Sequence, residues 1–448
     1  MTNLAEKRSN NYFDGIPVKG RQFTLFLIIV FAYFVEMIDA NNFAFIAPAL
    51  IKDWGIESAV IGQISSIYFM GNAVGGLIGG LLADFIGRRK TFLFTLFIVP
   101  ASSILNGMAT NVTFFMLTRF LTGVGVICMV TVAVVYMAEM TPAESRGKWY
   151  SMTAAVGFLA APFIGILSRI IIPTAPDAWR IILYLGGVGL LVWLAGMKYL
   201  LESPRWLVKR GRVAEAEKII HELTGVEVDL SEAIAKDTAK RVNAREILAG
   251  MVSRKHLKKT LMLLVIVSLV GCASFVGNIW IPTIMGQKGF TLSQSLTIGT
   301  LSFFGLPFGL FISALISDRG GRKIPIAIMA ILGAIFAVIF GNLGNNFYAC
   351  ASVAFLFATC MMGVGYMLNM YVGESFPTQM RGAATGYLNF LQRIAISGSQ
   401  MLIPLILVAY KPQGLFFTVG ALLTTAALII LIFGEATGKK SLEEISAD

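Results

Sequence analysis

Twelve long apolar segments, separated by short polar ones, run through most of the chain and restrict the folds that it can adopt. A helix that spans a bilayer needs about 20 mainly apolar residues. The chain is 56% hydrophobic and 14% charged, with a mean hydropathy of +0.76, whereas a soluble domain is about 25% charged. We therefore predict an all-α membrane protein with twelve transmembrane helices. The segments cover approximately residues 22–48, 58–83, 90–108, 112–138, 147–173, 179–200, 260–283, 295–317, 324–343, 347–372, 382–409 and 414–434.

Lysine and arginine residues are distributed unevenly around these segments. The chain has 36 of them against 25 acidic residues, and most lie in the tails, in alternate loops or in residues 201–259. The other ends of the segments carry only Lys52, Arg180, Lys288 and Lys411. Loops rich in positive charge stay on the cytoplasmic side. We expect both termini to be cytoplasmic in a multi-pass protein of the plasma membrane, here a bacterial inner membrane. The basic excess then gives no indication of a nucleic-acid partner.

The polar residues 201–259 divide the apolar segments into two sets of six. Residues 212–223 predict an amphipathic helix, whose apolar side carries Val213, Ala216, Ile219, Ile220 and Leu223. We expect this helix to lie on the cytoplasmic surface across the bundles; the alternative is a charged linker without stable structure. The predicted organisation is a cytoplasmic tail (1–21), a six-helix bundle (22–200), the linker (201–259), a second six-helix bundle (260–434) and a second cytoplasmic tail (435–448).

Two sequence motifs of the first half recur in the second half. DFIGRRK at 84–90 returns as DRGGRKI at 318–324, and YMAEMTPAESRG at 136–147 returns as YVGESFPTQMRG at 371–382. The offsets of the two pairs agree to within one residue. This agreement predicts a duplicated six-helix unit, whose copies are related by an axis along the membrane normal.

The repeated motifs resemble those of the major facilitator superfamily. The pattern D-x-x-G-R-R/K follows the second and eighth segments, and Y-x-x-E-x-x-P-x-x-x-R-G follows the fourth and tenth. In addition, ESPRWLVKRGR (202–212) and GKKSLEEI (438–445) are similar to sequences of the sugar-porter and organic-ion branches. The resemblance covers nearly the whole chain and implies two pseudo-symmetric bundles that transport a small molecule by alternating access.

Charged residues of the motifs are candidates for a gate at the predicted cytoplasmic end. We expect ion pairs between the two bundles that form when this side is closed and break when it opens, which would bias a two-state rocking motion. The alternative is that these residues only determine topology and stabilise the fold. Gly87 belongs to the same motifs and permits a tight turn. The gate candidates are Asp84, Gly87, Arg88, Arg89, Glu139, Arg146, Asp318, Arg322, Glu374 and Arg381.

Asp39 and Arg119 lie within apolar segments, where a charge at the bilayer centre costs roughly 2.5–3.5 kcal/mol. At a rise of about 1.5 Å per residue, they lie about 13 Å and about 10 Å below the same surface. We predict an Asp39–Arg119 pair that acts as a proton switch. The carboxylate stays ionised beside the arginine and takes up a proton when the arginine moves away. An inert buried pair is the alternative.

Glu36 lies one helical turn before Asp39, on roughly the same face. The segment EMIDANNFAFIAPALIKDWGI (36–56) is similar to the first helix of the aromatic acid:proton symporters, which typically reads D-G-F-D followed by A-P-A-L. Glu36 and Asp39 stand at the two Asp positions, and Met37 replaces the glycine. Arg119 fits the R-x-x-x-G of that family's fourth helix. The resemblance implies that Glu36, Asp39 and Arg119 take part in proton coupling.

Arg393 lies near the middle of the eleventh segment, about 17 Å from the inner surface of a core that is about 30 Å thick. No acidic residue lies in segments seven to twelve between their end motifs. An unpaired cation in a cavity indicates an anionic group on the substrate, and the aromatic acid symporters also carry an arginine here. Other substrate-contact candidates are Asn42, Tyr68, Asn278, Trp280, Tyr366, Asn369, Asn389 and Gln392.

Together these features predict a proton symporter that imports a small organic acid, with an aromatic acid as the narrower interpretation. A sugar or polyol symporter, an organic cation or drug antiporter and a non-transporting receptor of the same fold remain alternatives. The scattered cysteines and two histidines form no metal-ligand pattern, and no phosphate-binding loop is present. We expect a monomer without enzymatic activity, metal or cofactor, whose partners are protons, substrate and the lipid bilayer.

Overall fold

The computed structural model of the chain is nearly all helical, and it describes residues 12–16, 18–230, 251, 253, 256–317, 322–377 and 380–435. Asp318, residues 231–250 and the 438–445 motif therefore lie outside the described residues. The helices of the first half are α1 (Gly20–Trp54), α2 (Ser58–Ile86), α3 (Arg88–Met108), α4 (Val112–Met140), α5 (Ala143–Ile171), α6 (Trp179–Gly186) and α7 (Gly189–Tyr199).

Two short helices follow, and five long ones form the second half. The short helices α8 (Pro204–Lys209) and α9 (Val213–Thr224) belong to the linker. Within the described residues, eleven spans are long and apolar enough to cross a membrane, with α6 and α7 counted as one. The helices of the second half are α10 (Leu257–Gln287), α11 (Leu292–Ile316), α12 (Lys323–Asn342), α13 (Phe347–Glu374) and α14 (Arg381–Phe433).

The last helix, α14, contains both the eleventh and the twelfth predicted segments. Its 53 residues are interrupted at Lys411, which has φ 59° and ψ −177°. Pro412 follows, and a residue before proline is sterically disfavoured in the helical conformation. The break therefore divides α14 into two spans. The predicted fold class, an all-α membrane protein with twelve apolar helical segments, is confirmed.

The two bundles repeat the same internal packing. In the first, α2 lies against α4; in the second, α11 lies against α13. Gly75 permits a close α2–α4 contact, since a Cβ added there would lie only 2.2 Å from the carbonyl oxygen of Val124. Between the bundles, α2 contacts α14, α5 contacts α11 and α1 contacts α10. These three contacts lie along the boundary between the two bundles.

The amphipathic helix predicted in the linker is present as α9. Its residues Ala216, Ile220 and Leu223 are buried in a hydrophobic cluster of the first bundle, which also contains Phe13 and Trp206. Val213 and Ile219 pack against the same cluster. An ion pair between Arg21 and Glu222 also connects α9 to the start of α1. The apolar side of α9 therefore joins the linker to the first bundle.

Candidate functional site

A cavity of about 390 Å³ lies between the two bundles. Its volume falls in the range of small-molecule sites, about 300–1,000 Å³. Six of the nine substrate-contact candidates line it, five of them from the second bundle. The candidates in its wall are Tyr68, Asn278, Tyr366, Asn369, Gln392 and Arg393, and Arg119 of the proton-coupling set lines it as well.

Arg119 and Arg393 bring two positive charges to this cavity from opposite bundles. The Arg119 guanidinium lies over the rings of Tyr68 and Phe43, with its carbon 4.6 Å and 4.9 Å from their centroids. The Arg393 guanidinium lies over Phe275 at 5.5 Å. Arg393 forms no ion pair with any residue that the structure describes, so its charge is available to an anion.

Aromatic side chains form much of the remaining wall. The rings of Phe69 from α2 and Phe275 from α10 meet edge to face, with centroids 4.6 Å apart. Tyr68 contacts Phe69 in the same way at 5.3 Å. Offset and edge-to-face contacts are the favoured arrangements of aromatic rings. The cavity therefore combines cationic groups with aromatic surfaces suited to an aromatic ring.

Asp39 and Arg119 are connected through Asn42, and they do not form the direct ion pair that the sequence suggests. Nδ2 of Asn42 donates to Oδ1 of Asp39 at 3.1 Å, and Nη1 of Arg119 donates to Oδ1 of Asn42 at 3.3 Å. All three side chains are at most 1% exposed. The amide both donates and accepts, so it can bridge a carboxylate and a guanidinium. Asn42 thus connects the two charged residues, and we call Asp39, Asn42 and Arg119 the charge link. Asn42 does not line the cavity.

The other side of Asp39 faces α3 and α6. The Ser103 hydroxyl donates to Oδ1 of Asp39, and the same hydroxyl lies 2.8 Å from the carbonyl oxygen of Leu183. A Cβ added at Gly186 would lie 2.6 Å from Oδ1 of Asp39. The second carboxylate oxygen, Oδ2, has no hydrogen-bond partner among the described residues. Asp39 therefore packs against α3 and α6, and it does not line the cavity.

Glu36 is buried next to Asp39 without a hydrogen-bond donor. Its side chain is 1% exposed, and neither carboxyl oxygen has a partner in the described parts of the chain. The carboxyl group of Asp39 acts on it electrostatically. Glu36 itself lies outside the cavity wall.

Two further substrate-contact candidates, Trp280 and Asn389, also lie outside the cavity wall. Trp280 is fully buried, and its indole N–H donates to Oε1 of Gln400 at 2.9 Å. Asn389 is exposed on α14. The indole therefore packs α10 against α14. The sequence placed both residues at a suitable depth, but depth does not determine which face of a helix meets the cavity.

Sequence reasoning did not single out several residues of the site. Phe69, Asn72, Ser274 and Phe275 line the cavity, and Ser103 contacts Asp39. Phenylalanine in a transmembrane helix gives no distinctive signal because it also faces lipid. A serine in such a helix gives none because it can bond the carbonyl of its own preceding turn. Asn41 also lines the cavity and was not singled out, although the sequence contains a signal for it. It is one of two adjacent amides in an apolar helix.

The gate residues form ion pairs within each bundle. Nε and Nη2 of Arg88 donate to the two oxygens of Glu139 at 3.0 Å, and Nη1 lies 2.9 Å from Oδ1 of Asp84. In the second bundle, Nε of Arg322 lies 2.6 Å from Oε2 of Glu374. Arg322 and Glu374 stand at the repeat positions of Arg88 and Glu139. The predicted pairs between bundles are thus replaced, in this conformation, by two equivalent pairs inside them.

The remaining gate residues have other environments. Nη2 of Arg89 donates to the carbonyl oxygen of Met197 at 2.8 Å. Arg146 and Arg381 form no ion pair with another described residue. Gly87 has φ +103°, a conformation that side-chain-bearing residues rarely adopt, and a Cβ there would lie 2.3 Å from Oε2 of Glu202. The backbone at this turn therefore requires glycine.

Glu202, from the ESPRWLVKRGR segment, completes the turn at Gly87. Its Oε1 accepts the backbone N–H groups of Arg88 at 2.8 Å and Arg89 at 3.0 Å, which begin α3. Helix N-termini have unpaired N–H groups and favour a negative charge. Burial raises the pKa of Glu202, and the N–H donors of Arg89, Ser203 and Arg88 oppose this rise.

The ends of the bundles differ in how closely the bundles meet. We define the motif end as the end that carries Asp84, Arg88 and Arg322. At the opposite end, Ser66 and Ser397 hydrogen-bond between α2 and α14 at 3.0 Å, and Nε2 of Gln287 donates to Ser58 at 3.0 Å. At the motif end, the Asp84 side chain is 76% exposed, and the cavity residues Tyr366 and Asn369 are exposed. The cavity therefore opens toward the motif end.

The sequence matches a known family over most of its length. The model of the family described as sugar (and other) transporter matches residues 22–448. The putative metabolite transport protein YyaJ of Bacillus subtilis is 29% identical over 96% of each chain. The niacin transporter NiaP of Acinetobacter baylyi is 27% identical over 96% of this chain and 98% of its own. The 4-hydroxybenzoate transporter PcaK of Pseudomonas aeruginosa is 27% identical over 84% of this chain and 83% of its own.

Solved structures agree with the fold. The inward-open conformation of the xylose transporter XylE from E. coli superposes with a TM-score of 0.75. It covers 95% of this chain and 99% of its own, at 19% sequence identity. At this level of identity the likeness concerns the fold alone, which is that of the major facilitator transporters.

Proposed function

The chain belongs to the sugar (and other) transporter family, and on that basis we propose that it is a proton-coupled symporter that imports a small aromatic carboxylic acid. Membership makes it a multi-pass membrane transporter of small molecules. The substrate and the coupling ion are our proposal. The cavity, the buried acidic residues and the relatives support them.

The position of Arg393 is the observation that carries the substrate assignment. Its guanidinium lies in the cavity wall against Phe275 and has no acidic partner among the residues described. A cation held in a low-dielectric cavity binds an anionic group of a ligand more strongly than it would in water. The carboxylate of the substrate binds Arg393, and its ring lies against Phe69, Phe275 and Tyr68. The relatives named for niacin and 4-hydroxybenzoate have substrates of this class.

The Asp39–Asn42–Arg119 link supports proton coupling. Arg119 belongs both to this link and to the cavity wall. An anionic substrate attracts the guanidinium and weakens its hold on Asn42, which leaves Asp39 with less compensation for its negative charge. Asp39 then takes up a proton, because an uncompensated buried carboxylate is costly. A proton that enters with each substrate drives uptake.

The motif end faces the cytoplasm in this proposal, because loops rich in lysine and arginine stay inside. The described conformation then opens inward, with the opposite end sealed at Ser66 and Ser397. Alternating access requires that these contacts break while the motif end closes. The relatives are bacterial proteins, which supports a bacterial plasma membrane as the location.

A sugar or polyol is the second candidate substrate. The amides of Asn41, Asn72, Asn278 and Gln392 line the cavity and can bind hydroxyl groups. An organic cation fits less well. The charged side chains in the cavity wall, Arg119 and Arg393, are both positive, whereas Glu36 and Asp39 lie behind it.

Thermal-shift titration of the purified protein distinguishes these substrate classes, because a ligand that binds the folded state raises the Tm. The panel contains benzoate, 4-hydroxybenzoate and nicotinate, their uncharged amides, hexoses and quaternary amines. We expect the three carboxylates to raise the Tm in a saturable manner and their amides to have a much smaller effect. Stabilisation by hexoses without stabilisation by carboxylates would replace the acid with a sugar as the substrate.

A further inference from the structure

Ser103 of α3 occupies a position between two acceptors. Its Oγ contacts Oδ1 of Asp39 and lies 2.8 Å from the carbonyl oxygen of Leu183 in α6. The serine is fully buried. A hydroxyl group has one proton to donate and can accept from a second group. Ser103 can therefore donate to Asp39 or to Leu183, but not to both at once.

The Leu183 carbonyl is available because the sixth span is interrupted nearby. In a regular helix it would accept the N–H of Gly187. Instead, that N–H bonds to the carbonyl of Tyr184 at 2.9 Å, and the N–H of Val188 bonds to that of Leu185 at 3.1 Å. The tighter turn between α6 and α7 leaves the Leu183 carbonyl to a donor from outside its own helix.

Gly186 allows the backbone of this turn to approach Asp39. A Cβ at this position would lie 2.4 Å from Oγ of Ser103 and 2.6 Å and 2.7 Å from the two carboxyl oxygens of Asp39. Any side chain would have to displace the carboxyl group or the helix. The carboxyl group, the hydroxyl group and the turn are therefore packed as one unit.

We propose that Ser103 is a positioning residue that reverses its hydrogen bond when Asp39 is protonated and thereby couples proton binding to the break in the sixth span. When Asp39 is ionised, Ser103 donates to Oδ1. When a proton from solution binds Oδ1, the new Asp39 O–H donates to Oγ of Ser103, and Ser103 donates to the Leu183 carbonyl. Only O–H bonds form or break. Protonation therefore adds a hydrogen bond that anchors the α6–α7 break to α3.

The charged groups that act on Asp39 belong to α1 and α4. Arg119 of α4 attracts its negative charge through Asn42, and Glu36 lies one turn earlier on α1. The helices α3 and α6 face it with the neutral Ser103 hydroxyl and with the backbone at Leu183 and Gly186. The charge link thus senses the cavity, and the hydroxyl transmits the protonation state to the sixth span.

Hydrogen exchange of the full chain in detergent tests this inference. The reporter is the peptide that covers residues 184–191, measured at an acidic and a near-neutral pH and corrected for the intrinsic pH dependence of exchange. In the unsubstituted protein we expect exchange to be roughly five-fold slower at the acidic pH, the effect of one added hydrogen bond. Asp39→Asn should show slow exchange at both pH values, since its amide N–H can donate to Ser103 permanently.

Substitution of the serine separates its hydroxyl from general packing effects. Ser103→Ala should abolish the pH difference, and Ser103→Thr, which keeps a hydroxyl, should retain it even if alanine lowers the stability. Ser102→Ala is the matched control, because Ser102 is equally buried but bonds Val99 and Thr122; it should exchange as the unsubstituted protein does. A pH difference that persists in Ser103→Ala, or that is absent from the unsubstituted protein, would overturn the inference.

This inference rests on the proposed proton coupling, and uptake driven by a pH gradient is therefore measured on the same preparations. Uptake that does not respond to the gradient overturns the proposed function. Proton-driven uptake together with an unchanged pH difference in Ser103→Ala overturns only the role of Ser103.

Discussion

Ser66 of α2 and Ser397 of α14 hydrogen-bond to each other across the boundary between the two bundles, with their hydroxyl oxygens 3.0 Å apart. Ser397 also donates to the backbone carbonyl of Ser66 at 2.8 Å. Nearby, a Cβ at Gly62 would lie 2.6 Å from the carbonyl oxygen of Gln400. The helices are therefore in close backbone contact where the cavity is closed, and alternating access requires them to separate.

The pair Ser66→Cys and Ser397→Cys should form a disulfide that locks the cavity closed at this end. We expect oxidation to reduce transport at least ten-fold and reduction to restore it. Transport is compared before and after a reductant, with the two single substitutions as controls for oxidation of the native cysteines. Full transport by a quantitatively cross-linked protein would contradict the closing role of this contact.

Arg393→Ala should weaken carboxylate binding strongly. A hydrogen bond to a charged group contributes about 1.5–3 kcal/mol, so the affinity for an aromatic carboxylate should fall about 10- to 100-fold. The affinity for the uncharged amide of the same ligand should change little. Titration calorimetry with both ligands measures the effect, and Arg169→Ala, an exposed arginine near the end of α5, is the control. An equal loss for acid and amide would indicate a packing role.

The Arg88–Glu139 pair should stabilise the fold, because its side chains are only 7% and 13% exposed. Glu139→Gln removes a charge opposite a buried guanidinium, and we expect it to cost about 1–3 kcal/mol of unfolding free energy. The exposed Arg212–Glu215 pair is the matched control, and Glu215→Gln should leave stability unchanged because exposed pairs contribute little. The apparent Tm is measured for both variants, and we expect it to fall in Glu139→Gln but not in Glu215→Gln. Equal shifts would mean that burial does not distinguish the two pairs.

The sequence was sufficient to predict the spans, because a bilayer requires long apolar helices. Lys411 and Pro412 also explain why two predicted spans form one interrupted helix. The interruption of the sixth span at Gly187 and Val188 was not predicted. Glycine is common in transmembrane helices, so the glycines of this segment do not by themselves indicate a break.

The candidate site was predictable where it involves charge. Asp39, Arg119 and Arg393 were identified because a charge within an apolar segment is energetically costly and therefore indicates a function. The bridging position of Asn42 and the contact of Ser103 with Asp39 were not predicted. Both contacts depend on the rotation of each helix about its own axis. Successive residues of a helix point about 100° apart, so a small error in this rotation changes which side chains meet. The gate pairs likewise required the structure, because sequence motifs do not show whether partners belong to the same bundle.

Uptake into proteoliposomes driven by an imposed pH gradient tests whether protonation of Asp39 drives transport. The exterior is made more acidic than the interior, the probes are radiolabelled 4-hydroxybenzoate and nicotinate, and protein-free liposomes correct for passive entry of the weak acid. Asp177→Asn, in an exposed loop, is the control for the loss of a carboxylate. We predict that the unsubstituted protein and Asp177→Asn accumulate at least one probe and that a protonophore abolishes the accumulation. Asp39→Asn should fail to accumulate it. Accumulation by Asp39→Asn equal to that of the unsubstituted protein would exclude Asp39 as the proton-coupling residue.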